Sequence, residues 1–98
     1  MKFEELETQA RRLALLQGLQ AAVQYRLNAP MLRSYADAVG HVVSADRVDA
    51  DLAWLREQDL VELERAQGVA VATLTQRGQD AATGRASVPG VARPQPGC

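Results

Sequence analysis

The chain has 98 residues, which suits one small domain with a single core that needs neither disulfides nor a metal. Its apolar fraction is an ordinary 47%, but aromatics make up only 4%, so Leu, Val and Ala must build most of that core. A single cysteine, Cys98, excludes an internal disulfide and a thiolate cluster, and the net charge is only −1.

The opening MKFEELETQARR lacks the apolar segment of a signal peptide, and no window has the apolar length of a membrane span. A soluble, cytoplasmic protein is expected. Lys2 to about Gln20 reads as a first helix. Phe3, Leu6, Ala10, Leu13, Ala14 and Leu16 share one broad face, with Glu4, Glu7, Arg11 and Arg12 on the other. Glu7 and Arg11 have the spacing of a helical ion pair, worth about 0.3–0.5 kcal/mol. Leu15 and Leu19 project from the side opposite Leu6 and Leu13. They mark a helix end covered by neighbouring segments, or else a homodimer face.

Tyr25-Arg26-Leu27-Asn28 reads as a connector, with Asn28 as a cap and Pro30 just inside a second helix from about Pro30 to Val39. Leu32, Tyr35, Ala36 and Val39 face inward, and Gly40 closes the helix. His41-Val42-Val43 crosses to Ser44, and the short link is that of a helix-turn-helix. His41 has no ligand-spaced Cys, Asp or Glu around it and reads as a turn residue. Ser44 caps the third helix and Asp46 meets its dipole. Val48, Leu52 and Leu55 form its apolar stripe, begun by Ala45 and completed by Asp59. Trp54 lies off that stripe, either packed partly on the following strands or presented to a partner.

Leu60 to Glu64 half alternates and suits a strand, and Val69 to Leu74 a second, joined by a polar link containing Gly68. Thr75 caps a short fourth helix in which Gly78 allows close approach to another element. From Gly84 on, three prolines and three glycines forbid regular structure, with the last residues expected to be mobile and Val88 and Val91 docking on the domain. The fold class predicted is mainly α with a small β-wing, a winged helix-turn-helix. It comprises three helices, a two-stranded antiparallel wing and a short fourth helix, over residues 1–86, followed by a Pro/Gly-rich tail at 87–98.

From Ser44 to Glu64 there are seven acids, Asp46, Asp49, Asp51, Glu57, Asp59, Glu62 and Glu64, against Arg47 and Arg56. That is five excess negative charges on the element that a DNA-binding protein turns toward phosphate. From Arg65 on, Arg65, Arg77, Arg85 and Arg93 outnumber Asp80.

The segments Tyr25-Arg26-Leu27-Asn28, Val43-Ser44, Asp51-Leu52-Ala53-Trp54-Leu55, Ala72-Thr73-Leu74-Thr75 and Arg77-Gly78 resemble a family of small proteins encoded by Mu-like phages and prophages. Gly84-Arg85-Ala86, Val88-Pro89-Gly90-Val91 and Arg93-Pro94 resemble that family's closing motif. The resemblance implies a bacterial host cell, a winged-helix or ArsR-like label given by fold alone, and genes placed near morphogenesis and packaging functions. Arsenic sensing through thiolates is rejected, because Cys98 stands alone.

Two functions fit. In the first, a transcriptional regulator or DNA-associated accessory factor binds duplex DNA. The outer face of the third helix, with Asp46, Arg47, Asp49, Ala50, Ala53 and Glu57, would enter the major groove, while Arg26, Arg33, Arg65 and Gln67 hold phosphates. In the second, the same fold is a protein-interaction module presenting Trp54 and an acidic helix to a phage protein. Neither needs a cofactor or metal, and no catalytic set that would make an enzyme is visible. The local reading carries one stability prediction. Ser44→Ala should cost about 1 kcal/mol through loss of the cap, read as a lower urea midpoint with an unchanged slope.

Overall fold

Val61–Ala66 (β2) and Val69–Leu74 (β3) form the antiparallel hairpin that the alternating apolar residues predict, with Ala66 opposite Val69. Gln67 and Gly68 alone lie between them, both at positive φ (53° and 79°), the pattern of a type I′ turn whose twist matches the strands. The computed structural model describes residues 2–95 and adds a third strand. Arg26–Asn28 (β1) pairs antiparallel with Val71–Thr73, giving the sheet order β1-β3-β2. The expected connector at Tyr25–Asn28 thus belongs mostly to the sheet, and the expected two-stranded wing is three-stranded. Without β1, β3 would present an unpaired row of backbone groups. A 3₁₀ turn at Val23–Tyr25, with Gln24 and Tyr25 left-handed (φ 56° and 57°), delivers the chain to that edge.

Four helices complete a small α+β domain: α1 at Phe3–Ala21, α2 at Ala29–Ala38, α3 at Ala45–Glu57 and α4 at Gln76–Thr83. Each of the last three begins at the expected cap. Asn28 Oδ1 accepts from the Met31 amide at 2.8 Å, Ser44 Oγ from Arg47 at 3.1 Å, and Thr75 Oγ1 from Gly78 at 3.0 Å. The Gly40 and His41 amides close α2 on the Asp37 and Ala36 carbonyls. Val39, expected to face inward, is the residue after the last helical turn and is 50% exposed. The α3 stripe is shorter than expected: Ala45 is exposed, and Asp59 lies beyond the helix end in a left-handed conformation (φ 62°).

Leu13, Leu32, Val48, Leu52, Leu55 and Val61 are all buried as expected, within a core that also holds Leu60 and Leu74. Leu15 and Leu19 are fully buried within the single chain, so they offer no homodimer face. The reason is that α1 packs on α2, α4 and β3 at once, leaving its second half without a free side. The first half is the reverse. Every residue from Lys2 to Glu7 is exposed, and Phe3 (72%) and Leu6 (49%), expected on the buried face, lie where the rest of the chain does not cover the helix.

Gly78 seats α4 on the end of β2's approach. A Cβ there would lie 2.1 Å from the Leu60 carbonyl oxygen, so only glycine permits this contact. The Thr75 hydroxyl also donates to the Asp59 carbonyl at 2.8 Å. After α4 the chain returns across α1. Val88 and Val91 enter the core, the Ala92 amide donates to the Gln9 carbonyl at 3.2 Å, and Arg93 reaches the Gly84 carbonyl at 3.2 Å. The expected mobility of the last residues, and Cys98 itself, fall outside the described residues. Among the described residues no helix is long and apolar enough to cross a membrane.

An ion pair is also buried alongside the aliphatic core. Arg11 and Asp51, both buried, form a bidentate pair between α1 and α3, with Nε donating to Oδ2 and Nη2 donating to Oδ1 at 3.2 Å. Arg11 therefore faces inward and engages Asp51, not Glu7 as the helical spacing suggested. Asp51→Asn should cost about 3–5 kcal/mol by urea denaturation, because it strands a buried guanidinium. Arg11→Met combined with Asp51→Leu should recover most of that loss. A single variant with an unchanged midpoint would show that the pair is open to water.

Candidate interaction surface

Side chains on α3 step round the helix by about 100° per residue, which sorts its residues into four rows. Val48, Leu52 and Leu55 face the core. On the flank toward α1 lie Arg47, Asp51 and Trp54. On the opposite flank lie Ala45 and Asp49. The outermost row is Asp46, Ala50, Ala53 and Glu57, all exposed. That ridge carries two carboxylates and no cation.

The expected phosphate-binding arginines are dispersed, and most are already engaged. Arg26 on β1 is ion-paired with Glu64 on β2 and lies 3.5 Å from the Thr73 hydroxyl. Arg33 Nε donates to the Val43 carbonyl at 2.9 Å, clamping the link between α2 and α3. Arg65 Nη1 donates to the Gly68 carbonyl at 3.0 Å across the hairpin turn, and Gln67 is exposed at its tip. Arg47 lines a depression between α1 and α3 with Glu4, Glu7 and Arg11. Of the expected site residues, Asp49, Arg33 and Arg65 do come together. They line one cleft of about 230 Å³ between α2, the start of α3 and the hairpin, together with Val48, Val69 and Ala70.

Local neutralisation trims the acidic excess without removing it. Asp51 is buried against Arg11 and Glu64 is paired with Arg26, which leaves Asp46, Asp49, Glu57, Asp59 and Glu62 facing solvent. The dipole of a helix N-terminus offsets only about half a charge.

Trp54 is partly buried against the core and meets Arg12 and the C-terminal segment. The Arg12 guanidinium carbon sits 3.8 Å from its ring centroid, a cation–π contact, and Arg12 Nη1 donates to the Gly90 carbonyl at 3.0 Å. Burial holds the Arg12 pKa below its ordinary value, with nearby Asp51 opposing that shift and Arg11 adding to it. Val88-Pro89-Gly90-Val91 forms a β-turn, closed by the Val91 amide on the Val88 carbonyl at 3.0 Å. Gly90, at φ 94°, lies flat against the indole, where a Cβ would approach Trp54 Cζ2 to 2.7 Å. The indole is a platform for the C-terminal segment. Arg12 and Gly90 were missed from the sequence, although Pro89-Gly90 between two valines is itself a turn signal.

No family model matches the chain, and neither does any solved structure. Two relatives are similar to most of it. Gp26 of Escherichia phage Mu, described as an uncharacterized protein, is 46% identical over 92 residues, which cover 94% of this chain and 95% of gp26. An uncharacterized protein of Haemophilus influenzae is 42% identical over 78 residues, covering 79% of this chain and 76% of that protein.

The seating of Gly90 is directly testable. Gly90→Ala adds a methyl group where both the indole and the positive φ oppose it, at a cost of about 1–3 kcal/mol. Because Trp54 is the chain's one tryptophan, its fluorescence should shift to the red as the segment lifts. Unchanged emission and unchanged stability would remove this contact.

Proposed function

The chain belongs to the family of phage Mu gp26, and we propose that it is a non-enzymatic protein-interaction module of a Mu-like phage, built on a winged-helix arrangement. The winged-helix reading is supported by the short link between α2 and α3 and by the hairpin that follows α3 directly. The observation that carries the interaction reading is the outer ridge of α3. In a helix-turn-helix this row would meet the major groove, and here it consists of Asp46, Ala50, Ala53 and Glu57. Phosphate neutralisation supplies much of the affinity of ordinary DNA binders, and two carboxylates at the groove oppose it. A basic protein surface has the complementary charge. The resemblance to Mu-like phage proteins implies genes placed near morphogenesis and packaging functions, which fits a phage protein as the partner.

One observation favours the second reading, a DNA-binding regulator or accessory factor. Arg33 and Arg65 flank the first turns of α3, and each retains free N–H donors after its single backbone hydrogen bond. The two readings separate experimentally. Affinity-tagged protein recovered from cells producing a Mu-like phage should carry a phage protein, and Asp46→Asn with Glu57→Gln should weaken that complex by about 1 kcal/mol. Duplex DNA should not bind near physiological salt. Duplex binding that tightens steeply as salt is lowered, and that the same double variant strengthens, would overturn the interaction reading in favour of DNA.

A further inference from the structure

The cleft beside α3 has a chemistry of its own. Aliphatic Val48, Val69 and Ala70 line it together with two arginines and one aspartate, Arg33, Arg65 and Asp49. Its volume of about 230 Å³ falls below the roughly 300–1,000 Å³ of sites for whole small molecules, and matches something nearer one amino-acid residue. Both arginines are braced before any ligand arrives: Arg33 on the Val43 carbonyl, Arg65 on the Gly68 carbonyl. Bracing reduces the side-chain entropy lost on binding and leaves further N–H groups for an anion.

We propose that this cleft receives the C-terminal residue of a partner polypeptide, an aliphatic side chain bearing its free carboxylate. The aliphatic group covers Val48, Val69 and Ala70, and the carboxylate takes charge-assisted hydrogen bonds from Arg33 and Arg65. Asp49 accepts the backbone N–H of the same residue. A single C-terminal residue offers these three features together, whereas a phosphate offers only the charge and places it near Asp49. Capture of a chain terminus by oriented donors is a recurring mode of peptide recognition. The proposal rests on the protein-interaction reading and adds the chemical identity of the group recognised beside the α3 ridge.

The probe is N-acetyl-L-leucine, titrated into the ¹⁵N-labelled full chain and followed by amide chemical shifts, with N-acetyl-L-leucinamide and inorganic phosphate as parallel arms. The acid should give saturable shifts at Ala45, Gly68, Val69 and Ala70, and bind about tenfold more tightly than the amide. Arg65→Gln should weaken the acid about tenfold and leave the amide unchanged, and Arg33→Gln should do the same in a second, independent variant. Equal binding of acid and amide, or no saturable shift at these residues, overturns the proposal. Larger shifts with phosphate at the same residues also overturn it and assign the cleft to a phosphate-bearing ligand. Failure of the titration while a phage partner is still retained through Asp46 and Glu57 removes the cleft alone. Loss of the partner reading leaves the titration as a separate result, because it reports on the isolated chain.

Discussion

The domain is organised by one buried ion pair. Arg11 and Asp51 sit near the middles of α1 and α3, and their two parallel hydrogen bonds fix both the separation and the relative rotation of the helices. The neighbouring contact follows from that registration. With Arg11 turned onto Asp51, Arg12 is carried to the indole of Trp54, three residues further along α3. Arg12 in turn meets the Gly90 carbonyl and so holds the C-terminal turn. Apolar residues of equal volume would hold the two helices about as tightly. What the ion pair adds is geometry, since a leucine pair tolerates sliding and a bidentate pair does not.

Local signals carried much of the fold in the sequence. Asn28, Ser44 and Thr75 were visible as caps because a short polar side chain before an apolar row has few other uses. The stripe Val48, Leu52 and Leu55 was visible because its spacing matches the helix period. What stayed hidden depends on residues distant in the chain. Arg26–Asn28 is too short to announce a strand, and it is one only because β3 has an edge to fill. Leu15 and Leu19 looked surplus to a one-sided helix because the wheel counts faces of α1 and not its neighbours. Arg11 and Asp51 each looked like surface charge. The available hint was Asp51, spaced between Val48 and Leu55 on the edge of the buried row.

The candidate surface was legible residue by residue but not as a constellation. Asp49, Arg33 and Arg65 share a cleft, whereas Arg47 and Trp54 face α1 and Arg26 is tied to Glu64. Charge counted along the chain overstated the acidity of the exposed surface, because Asp51 is buried and neutralised. The ridge of Asp46, Ala50, Ala53 and Glu57 nevertheless keeps its sign, since its side chains point away from every neighbouring element. Small alanines between the carboxylates leave the ridge low and smooth, so a partner can approach the helix closely along its length.

The return of the chain across α1 also sets an order of events. The Ala92 amide meets the Gln9 carbonyl, and Gly90 meets Arg12. Helix α1 is thus covered by a segment far downstream in the chain. The β2–β3 hairpin can form from nearby residues, but the side of α1 that meets residues 88–92 stays uncovered until that segment has left the ribosome. Contacts between such distant positions close a long loop and slow folding. A nascent chain stalled before Val88 would display Trp54 and the apolar side of α1, the kind of surface that chaperones and proteases engage.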